Sequence, residues 1–403
     1  MRLLEKQALS GVARMNGKLS VRFSTILLSI MCLTLIAIPY IPQGINNLIK
    51  LILEIILVMW VVSHKISKKS VFRAFPMFLF FIAICVCTYH AMGMRSRLAN
   101  AVVTGGAYFS YYFIISNYSE IYGIDYVGKI VRKNLLFYMI ILDLFAILTW
   151  GKGLGGLDEA VYLLGNKFMI SYTHMLVLSF INFEDRSKKT SGYMIKMIAF
   201  FIYSCAICLL SDTTTGIVGL TCVLFLSIIS VKKQILLDIL RRPIVVLAFF
   251  LGIHGIFLLT DTLIGNSTIS AFFYSRSHTN TMLSGRFVMY NIVIEAIGKN
   301  PIWGYGINCE LVKNTLGFGN PQNGILKMLL DYGIIGTACF CLTLYTTFKN
   351  AFGKNNLEIK NECIIFIYAM MVCSLVEINL AGMFMMVCAL LNSSEPYNSI
   401  AEE

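Results

Sequence analysis

Residues 194–231 read MIKMIAFFIYSCAICLL, then SDTTTG, then IVGLTCVLFLSIISV. Two apolar runs, each close to the length of a membrane-spanning helix, are separated by a short polar turn. Lys232 and Lys233 follow directly, and membrane proteins retain Lys and Arg on the cytoplasmic side. The stretch therefore predicts a transmembrane helical hairpin whose turn faces outward.

The same pattern continues along the chain. Of the 403 residues, 57% are hydrophobic and 13% are charged, about half of the roughly 25% that is usual in soluble domains. The sequence predicts an all-α integral membrane protein, a single polytopic domain over residues 1–403. We place twelve spans at about 23–41, 45–62, 74–92, 98–117, 134–150, 168–183, 194–210, 216–231, 243–260, 323–347, 362–376 and 380–392. The last two are short, and one re-entrant hairpin is an alternative for them.

The distribution of basic residues supports this topology. Of the 33 Lys and Arg residues, 23 fall in tracts that the twelve spans place inside, so both termini are expected in the cytoplasm. The net charge of +12 does not indicate a nucleic-acid partner, because the cations lie between apolar runs and are not clustered on one solvated face. The expected environment is a lipid bilayer.

One connection is much longer than the others. Residues 261–322 form a large extracytoplasmic loop between spans nine and ten. Apolar residues recur there at helical spacing, and they are Phe287, Tyr290, Ile294 and Ile297. Ser284 is placed to cap this helix, and the Asn300-Pro301 step is placed to end it. We expect an amphipathic helix that lies along the membrane interface or covers a cavity.

The chain lacks the short signatures of soluble enzymes and of metal sites, so we expect no cofactor and no metal dependence. Arg286 opens the predicted loop helix, and a guanidinium group can hold phosphate oxygens in a bidentate manner. The alternatives for Arg286 are an interfacial anchor or an ion pair with Glu295.

Other outer cations are weaker candidates. Arg95 and Arg97 lie in a short outer turn, against the usual charge bias, and either bind phosphate or extend to the interface. Arg276 and His278 lie in the stretch YSRSH, for which a solvated loop is the favoured interpretation.

Some ionisable residues fall inside the predicted spans, where they are costly unless paired. The spacing of four residues predicts same-face pairs for Lys50 with Glu54 and for Lys327 with Asp331. Asp143 and His174 have no local partner, and we expect hydrogen bonds across spans for them rather than catalysis.

A resemblance joins several of these residues. Residues 284–306 read SGRFVMYNIVIEAIGKNPIWGYG and residues 321–336 read PQNGILKMLLDYGIIG. An Arg after a small residue, an amphipathic helix, a Pro-x-x-Gly-x-Gly turn and a Gly-x-x-Gly span start follow in order. This segment resembles that of the bacterial O-antigen ligase and O-antigen or capsule polymerase family, as does the layout of twelve spans with a large loop before span ten.

The resemblance implies an enzyme of the bacterial inner or plasma membrane that acts at its outer face on undecaprenyl-diphosphate-linked glycans. Arg286 corresponds to the family arginine that engages the diphosphate. Gln322 stands at the place of the usual His, beside Asn323, and Thr214 stands at the place of an Arg in a Ser-Arg-Thr-Gly-like segment. The resemblance also makes Gln322 and Asn323 catalytic candidates, and makes Thr214, Gly304 and Gly306 substrate-binding candidates.

Three functions compete at this point. The expected one is polymerisation of lipid-linked repeat units, with a chain-length regulator as a further candidate partner. A ligase that transfers finished glycan is the alternative, but a ligase is thought to need the His that Gln322 replaces, and an amide cannot act as a general base. A polysaccharide transporter or flippase is the alternative of another class, although the two halves show no convincing internal repeat.

Overall fold

The computed structural model describes residues 25–33, 35, 42–64, 66–91, 97–153, 161–162, 165–180, 191–232, 234–264, 286–316, 320–352 and 358–393. The helices are α1 (25–33), α2 (Gln43–His64), α3 (Lys68–His90), α4 (Leu98–Tyr122), α5 (Ile124–Leu148), α6 (Lys167–Phe180), α7 (Ser191–Leu210), α8 (Thr214–Lys232), α9 (Gln234–Leu240), α10 (Pro243–Ile264), α11 (Arg286–Lys299), α12 (Leu311–Leu316), α13 (Gly324–Ala351), α14 (Glu358–Cys373) and α15 (Gly382–Asn392). The strands β1 (Val161–Tyr162) and β2 (Gly165–Asn166) form a small antiparallel hairpin, with Val161 opposite Asn166.

The protein is a helical membrane protein. Four of its described helices are long and apolar enough to cross a bilayer, namely α3, α4, α7 (from Gly192) and α13, and shorter apolar segments lie in α8, α10 and α15. Large apolar side chains are exposed on the outside of the bundle, as at Leu148, Leu209 and Ile256. Such a surface is suited to lipid rather than to water. The fold class is therefore confirmed at this level.

The centre of the bundle consists of the two short helices α14 and α15. Nearly all of their described side chains are buried, and they pack against each other and against α4, α6, α8 and α13. At 1.5 Å per residue their 16 and 11 residues span about 24 Å and about 17 Å, less than the roughly 30 Å of a bilayer core. The residues of the turn at 374–381 between them, the central turn, are buried or half-buried. Whether these helices form two spans or one re-entrant hairpin stays a prediction.

The predicted loop helix is confirmed as α11, which ends at Lys299 just before the Asn300-Pro301 step. The buried face of α11 is offset from the apolar stripe named from the sequence. The buried side chains are Met289, Tyr290, Val293 and Ala296, which form a second small core with residues of α12 and α13. Ile294 is 45% exposed because α11 packs on α13 through the neighbouring stripe. Ser284 lies outside the described residues.

A polar network joins α5, α6 and α7. His174 Nε2 lies 2.8 Å from Asp143 Oδ1, and His174 Nδ1 lies 2.9 Å from Ser204 Oγ. Tyr203 donates its hydroxyl to Asp143 Oδ2 at 2.7 Å. The expected hydrogen bonding across spans is thus confirmed for Asp143 and His174, and every polar atom of both side chains has a partner.

Candidate functional site

The Pro-x-x-Gly-x-Gly turn at 301–306, called the glycine turn below, follows α11 and is hydrogen-bonded to a break in α13. Gly333 interrupts α13 with φ 58° and ψ −162°, which frees backbone groups of the helix. The turn residues Tyr305 and Gly306 donate their amides to the carbonyls of Leu330 and Asp331 at 2.7 and 2.8 Å, and Ile334 donates to the carbonyl of Pro301 at 2.8 Å. The Pro-x-x-Gly-x-Gly turn therefore supplies the hydrogen bonds that the broken helix lacks.

The two glycines of this turn are required by conformation, and Gly304 also by space. Gly304 and Gly306 have φ of 68° and 79°, which side chains rarely tolerate. A Cβ atom on Gly304 would lie 2.7 Å from the amide nitrogen of Gly333 and from the carbonyl oxygen of Leu330. The structure thus gives Gly304 a packing role, and the predicted contact of both glycines with substrate stays a prediction.

We expect Gly304→Ala to destabilise the protein by about 2 kcal/mol or more, because it combines left-handed backbone strain with overlap against fixed backbone atoms. The measurement is the thermal unfolding midpoint of the detergent-solubilised protein. Gly298→Ala is the matched control, since that glycine lies in α11 with no atom within 4 Å of the added Cβ. Equal midpoints for the two variants would contradict the expectation.

The start of α13 is held by Asn323, which is fully buried. Its Oδ1 accepts the Leu326 amide at 3.1 Å and so caps the helix, while its Nδ2 donates to the carbonyl of Leu375 at 2.9 Å. The next residue, Gly324, donates its amide to the carbonyl of Ser374 at 2.7 Å. Asn323 therefore ties α13 to the central turn (374–381), and both ends of its amide are used in doing so.

Gln322 lies where the start of α13 meets the central turn, and its backbone is in a left-handed conformation with φ 45°. We call this meeting point the junction. The Gln322 backbone amide donates to Asn320 Oδ1 at 2.9 Å. The hydroxyl of Tyr290, from α11, lies 3.3 Å from the carbonyl of Gln322 and 3.4 Å from that of Leu375. The residue at the family His position is thus held between α11 and the central turn.

The central turn also approaches the TTTG stretch (213–216) at the start of α8. Thr215 Oγ1 lies 3.5 Å from Glu377 Oε1, and the carbonyl of Thr215 lies 3.6 Å from Cys373 Sγ. Thr214 is the first residue of α8 and is exposed. Of these two threonines it is Thr215, which we did not single out from the sequence, that contacts the turn.

A charged cluster lies beside the glycine turn, between the start of α4, the 307–310 segment and α13. Arg97 Nη2 lies 3.1 Å from Glu310 Oε1, while its Nη1 is buried without a hydrogen-bond partner among the described residues. Lys327 Nζ lies 2.7 Å from Asp331 Oδ2, which confirms that predicted pair. Burial raises the pKa of the Cys309 thiol, and Asp331 raises it further, whereas Lys327 and Arg97 lower it, so these charges share one neighbourhood.

The second predicted pair is looser. Glu54 has an electrostatic interaction with Lys50. Both of its carboxylate oxygens are nevertheless buried without a hydrogen-bond partner in the described part of the chain.

The remaining candidates are only partly visible. Arg95, Arg276 and His278 lie outside the described residues. The backbone of Arg286 begins α11, but its side chain lies outside the described part of the structure. Glu295, named above as an alternative ion-pair partner of Arg286, is bound to Lys299 at 2.8 Å, because the two are one helical turn apart. Its pairing with Arg286 stays a prediction. No group of three or more His, Cys, Asp and Glu residues that could hold a metal ion occurs within the described ranges.

The TTTG stretch and the Gln322-Asn323 step both contact the central turn, and the glycine turn packs on α13 farther along the same helix. The family segments of this site are thus the TTTG stretch, the glycine turn and the Gln322-Asn323 step, beside the central turn. Residues 199–341 match the family model of O-antigen ligase. The match runs from α7 into α13, includes the first three of these segments and is consistent with the O-antigen polymerase and ligase family. No curated protein matches the chain. The family match supports an O-antigen ligase-type or polymerase-type function in general.

The central turn with Glu377 is the part of the site that we did not single out from the sequence. The available signal is a single carboxylate placed between two apolar segments that are each too short to cross a bilayer. A carboxylate there has to be enclosed by protein. Its neighbours are set by long-range packing, which a pattern along the chain does not report.

Proposed function

We propose that this protein is a membrane glycosyltransferase that polymerises undecaprenyl-diphosphate-linked oligosaccharide repeat units into surface polysaccharide, such as O-antigen, capsule or exopolysaccharide. The observation that carries the proposal is the family match over residues 199–341. It is supported by the contacts that two of the matched segments, the TTTG stretch and the Gln322-Asn323 step, make with the central turn. Family members are glycosyltransferase-like membrane enzymes that act on lipid-linked glycans. Gln322 at the family His position favours a polymerase over a ligase.

The proposed reaction takes place at the outer face of the bacterial inner or plasma membrane. A hydroxyl of the acceptor sugar attacks the anomeric carbon of the donor chain, and undecaprenyl diphosphate leaves. Catalysis then depends on positioning and on stabilising the negative charge of the leaving group. Arg286 is proposed to engage the diphosphate, and a metal is not needed because cationic side chains supply that stabilisation. The other outer cations proposed to hold substrate are Arg95, Arg97, Arg276 and His278.

The proposed topology has twelve spans with both termini in the cytoplasm. It places residues 261–322 and the junction around Asn323 on the outer side, where the lipid-linked donor is presented. A chain-length regulator is a proposed partner, since a polymerase alone does not define the length of its product.

Deletion of the gene tests the proposal, and the readout is the glycan on the final acceptor and on the carrier lipid. A polymerase mutant is expected to retain single repeat units on the final acceptor. A ligase mutant would instead accumulate polymer on the carrier lipid, and this candidate is retained because the matching family model is described as a ligase. Elongation by the purified protein without any ion gradient is also expected, and its absence would favour a transporter.

A further inference from the structure

We propose that Glu377, in the central turn between α14 and α15, is the general base that accepts the proton of the attacking sugar hydroxyl. The inference rests on the proposed function and supplies the group that Gln322 cannot provide. An amide has no basic site at neutral pH, whereas a carboxylate within hydrogen-bond reach of a hydroxyl is a common general base.

Glu377 lies between two segments of the candidate site. The central turn receives the Asn323 side chain at the carbonyl of Leu375 and the Gly324 amide at the carbonyl of Ser374. The Gln322-Asn323 step therefore lies against the turn that carries Glu377. On the other side, Thr215 of the TTTG stretch contacts the Glu377 carboxylate. Glu377 thus stands between the two segments in which the chain departs from the family pattern, with Gln322 at the place of the usual His and Thr214 at the place of the Arg.

The surroundings of Glu377 are enclosed and polar. The residue is 9% exposed, so it is enclosed by protein but retains contact with the outside. Two residues later, Asn379 is 3% exposed, and its Nδ2 donates to the carbonyl of Met370 at 2.7 Å. Its Oδ1 is buried with no hydrogen-bond partner among the described residues. This acceptor, close in sequence to the carboxylate, fits a site for a hydroxyl-bearing ligand such as a sugar.

The central turn is held in place by neighbouring helices. His254 Nδ1 of α10 lies 2.8 Å from the carbonyl oxygen of Phe250, and its Nε2 lies 3.1 Å from Ser374 Oγ in the turn. Tyr290 of α11 contacts the carbonyl of Leu375. The turn is therefore fixed from α10, α11 and α13 together, and a base that is fixed in place loses little entropy when substrate binds.

The proton and electron balance of the step is complete. The acceptor oxygen forms a bond to the anomeric carbon, and the bond from that carbon to the phosphate oxygen breaks, so that its electron pair leaves with the diphosphate. The hydroxyl proton passes to the Glu377 carboxylate and is later released to water. No oxidant, reductant or metal enters the balance.

The test uses the full-length protein with lipid-linked repeat units extracted from a host strain in which the gene is deleted. Glu377→Gln is expected to lower the elongation rate by about 100-fold or more with little change in KM. Glu377→Asp is expected to retain part of the activity. Glu295→Gln removes another outer carboxylate, one that is exposed and paired with Lys299, and is expected to leave the rate unchanged.

The pH profile separates catalysis from a structural role. A base must be deprotonated, so the wild-type rate is expected to fall as the pH falls, and the residual rate of Glu377→Gln is expected to lose this dependence. The titratable groups that face Glu377 or its turn among the described residues include Tyr172 of α6, Cys373 of α14, His254 of α10 and Tyr290 of α11. The matching His254→Gln variant is expected to keep the fall in rate at low pH.

The outcomes are distinguishable from failure of the proposed function. A Glu377→Gln protein with at least a third of the wild-type rate, or with an unchanged pH profile, would overturn the base assignment while polymerisation stands. A wild-type protein that joins finished glycan to another acceptor would overturn polymerisation, and the same variants are then compared in that transfer reaction. If Glu377→Gln does not insert into the membrane, Glu377→Asp decides. A lowered rate that still falls at low pH supports the proposal. A full wild-type rate with an unchanged pH profile contradicts it.

Discussion

Arg286→Ala is expected to lower the rate of chain elongation by at least about 100-fold, because removal of a preorganised charge donor from a transition state has effects of this size. Arg286 begins α11 and precedes Tyr290 by four residues, which places both on one face of the helix. Tyr290 contacts the carbonyls of Gln322 and Leu375. The position of Arg286 is thus one helical turn from the junction where the reaction is proposed.

The measurement is the chain length of surface polysaccharide in the native host, together with the elongation rate of the purified protein. Arg286→Lys is expected to recover only part of the rate, since an ammonium group keeps the charge but loses the bidentate geometry. Lys299→Ala, which removes an exposed cation at the other end of the same helix, serves as the control. Full-length polysaccharide from a normally inserted Arg286→Ala protein would show that the assignment is wrong.

Lys327→Met is expected to destabilise the protein by about 3 kcal/mol, because the loss of one partner from a buried ion pair leaves the other charge uncompensated. The side chain of Asp331 is 2% exposed, and that of Lys327 is 17% exposed. The Asn308 backbone and the Cys309 thiol also face the Asp331 carboxylate, but neither carries a positive charge. The loss is measured as a fall in the thermal unfolding midpoint in detergent.

A double variant provides the control for this prediction. Lys327→Met combined with Asp331→Leu removes both charges and is expected to recover most of the lost stability, as buried pairs replaced by apolar residues often do. Lys299→Met, which breaks the exposed pair with Glu295, is expected to leave the midpoint unchanged. An unchanged midpoint for Lys327→Met alone is the result that would refute the expectation.

Local features of this protein could be predicted from its sequence. The loop helix, its end at Asn300-Pro301 and the Lys327–Asp331 pair depend on residues within one or two helical turns of each other. The exposed stripe containing Ile294 could not be predicted, because an apolar residue at the membrane boundary has no strong reason to face the core. Periodicity therefore indicates that α11 forms but not how it is rotated.

Contacts between distant segments account for the remaining differences. Asp143 and His174 have no partner nearby in the sequence, yet they bond to each other and to α7 across three helices. The contact between Thr215 and Glu377 joins residues 162 positions apart. Such pairs depend on which helices become neighbours, and the uniform hydrophobicity of membrane helices conceals their inward faces.

The interlock between the glycine turn and the break in α13 has an evolutionary consequence. Gly304 and Gly333 approach so closely that a Cβ on either would meet the backbone of the other. Divergence at one of the two positions can be tolerated only if the opposite backbone moves away, so the two sites share a single selective constraint. Among descendants of a common ancestor, we expect both glycines to persist as a pair or to be lost together.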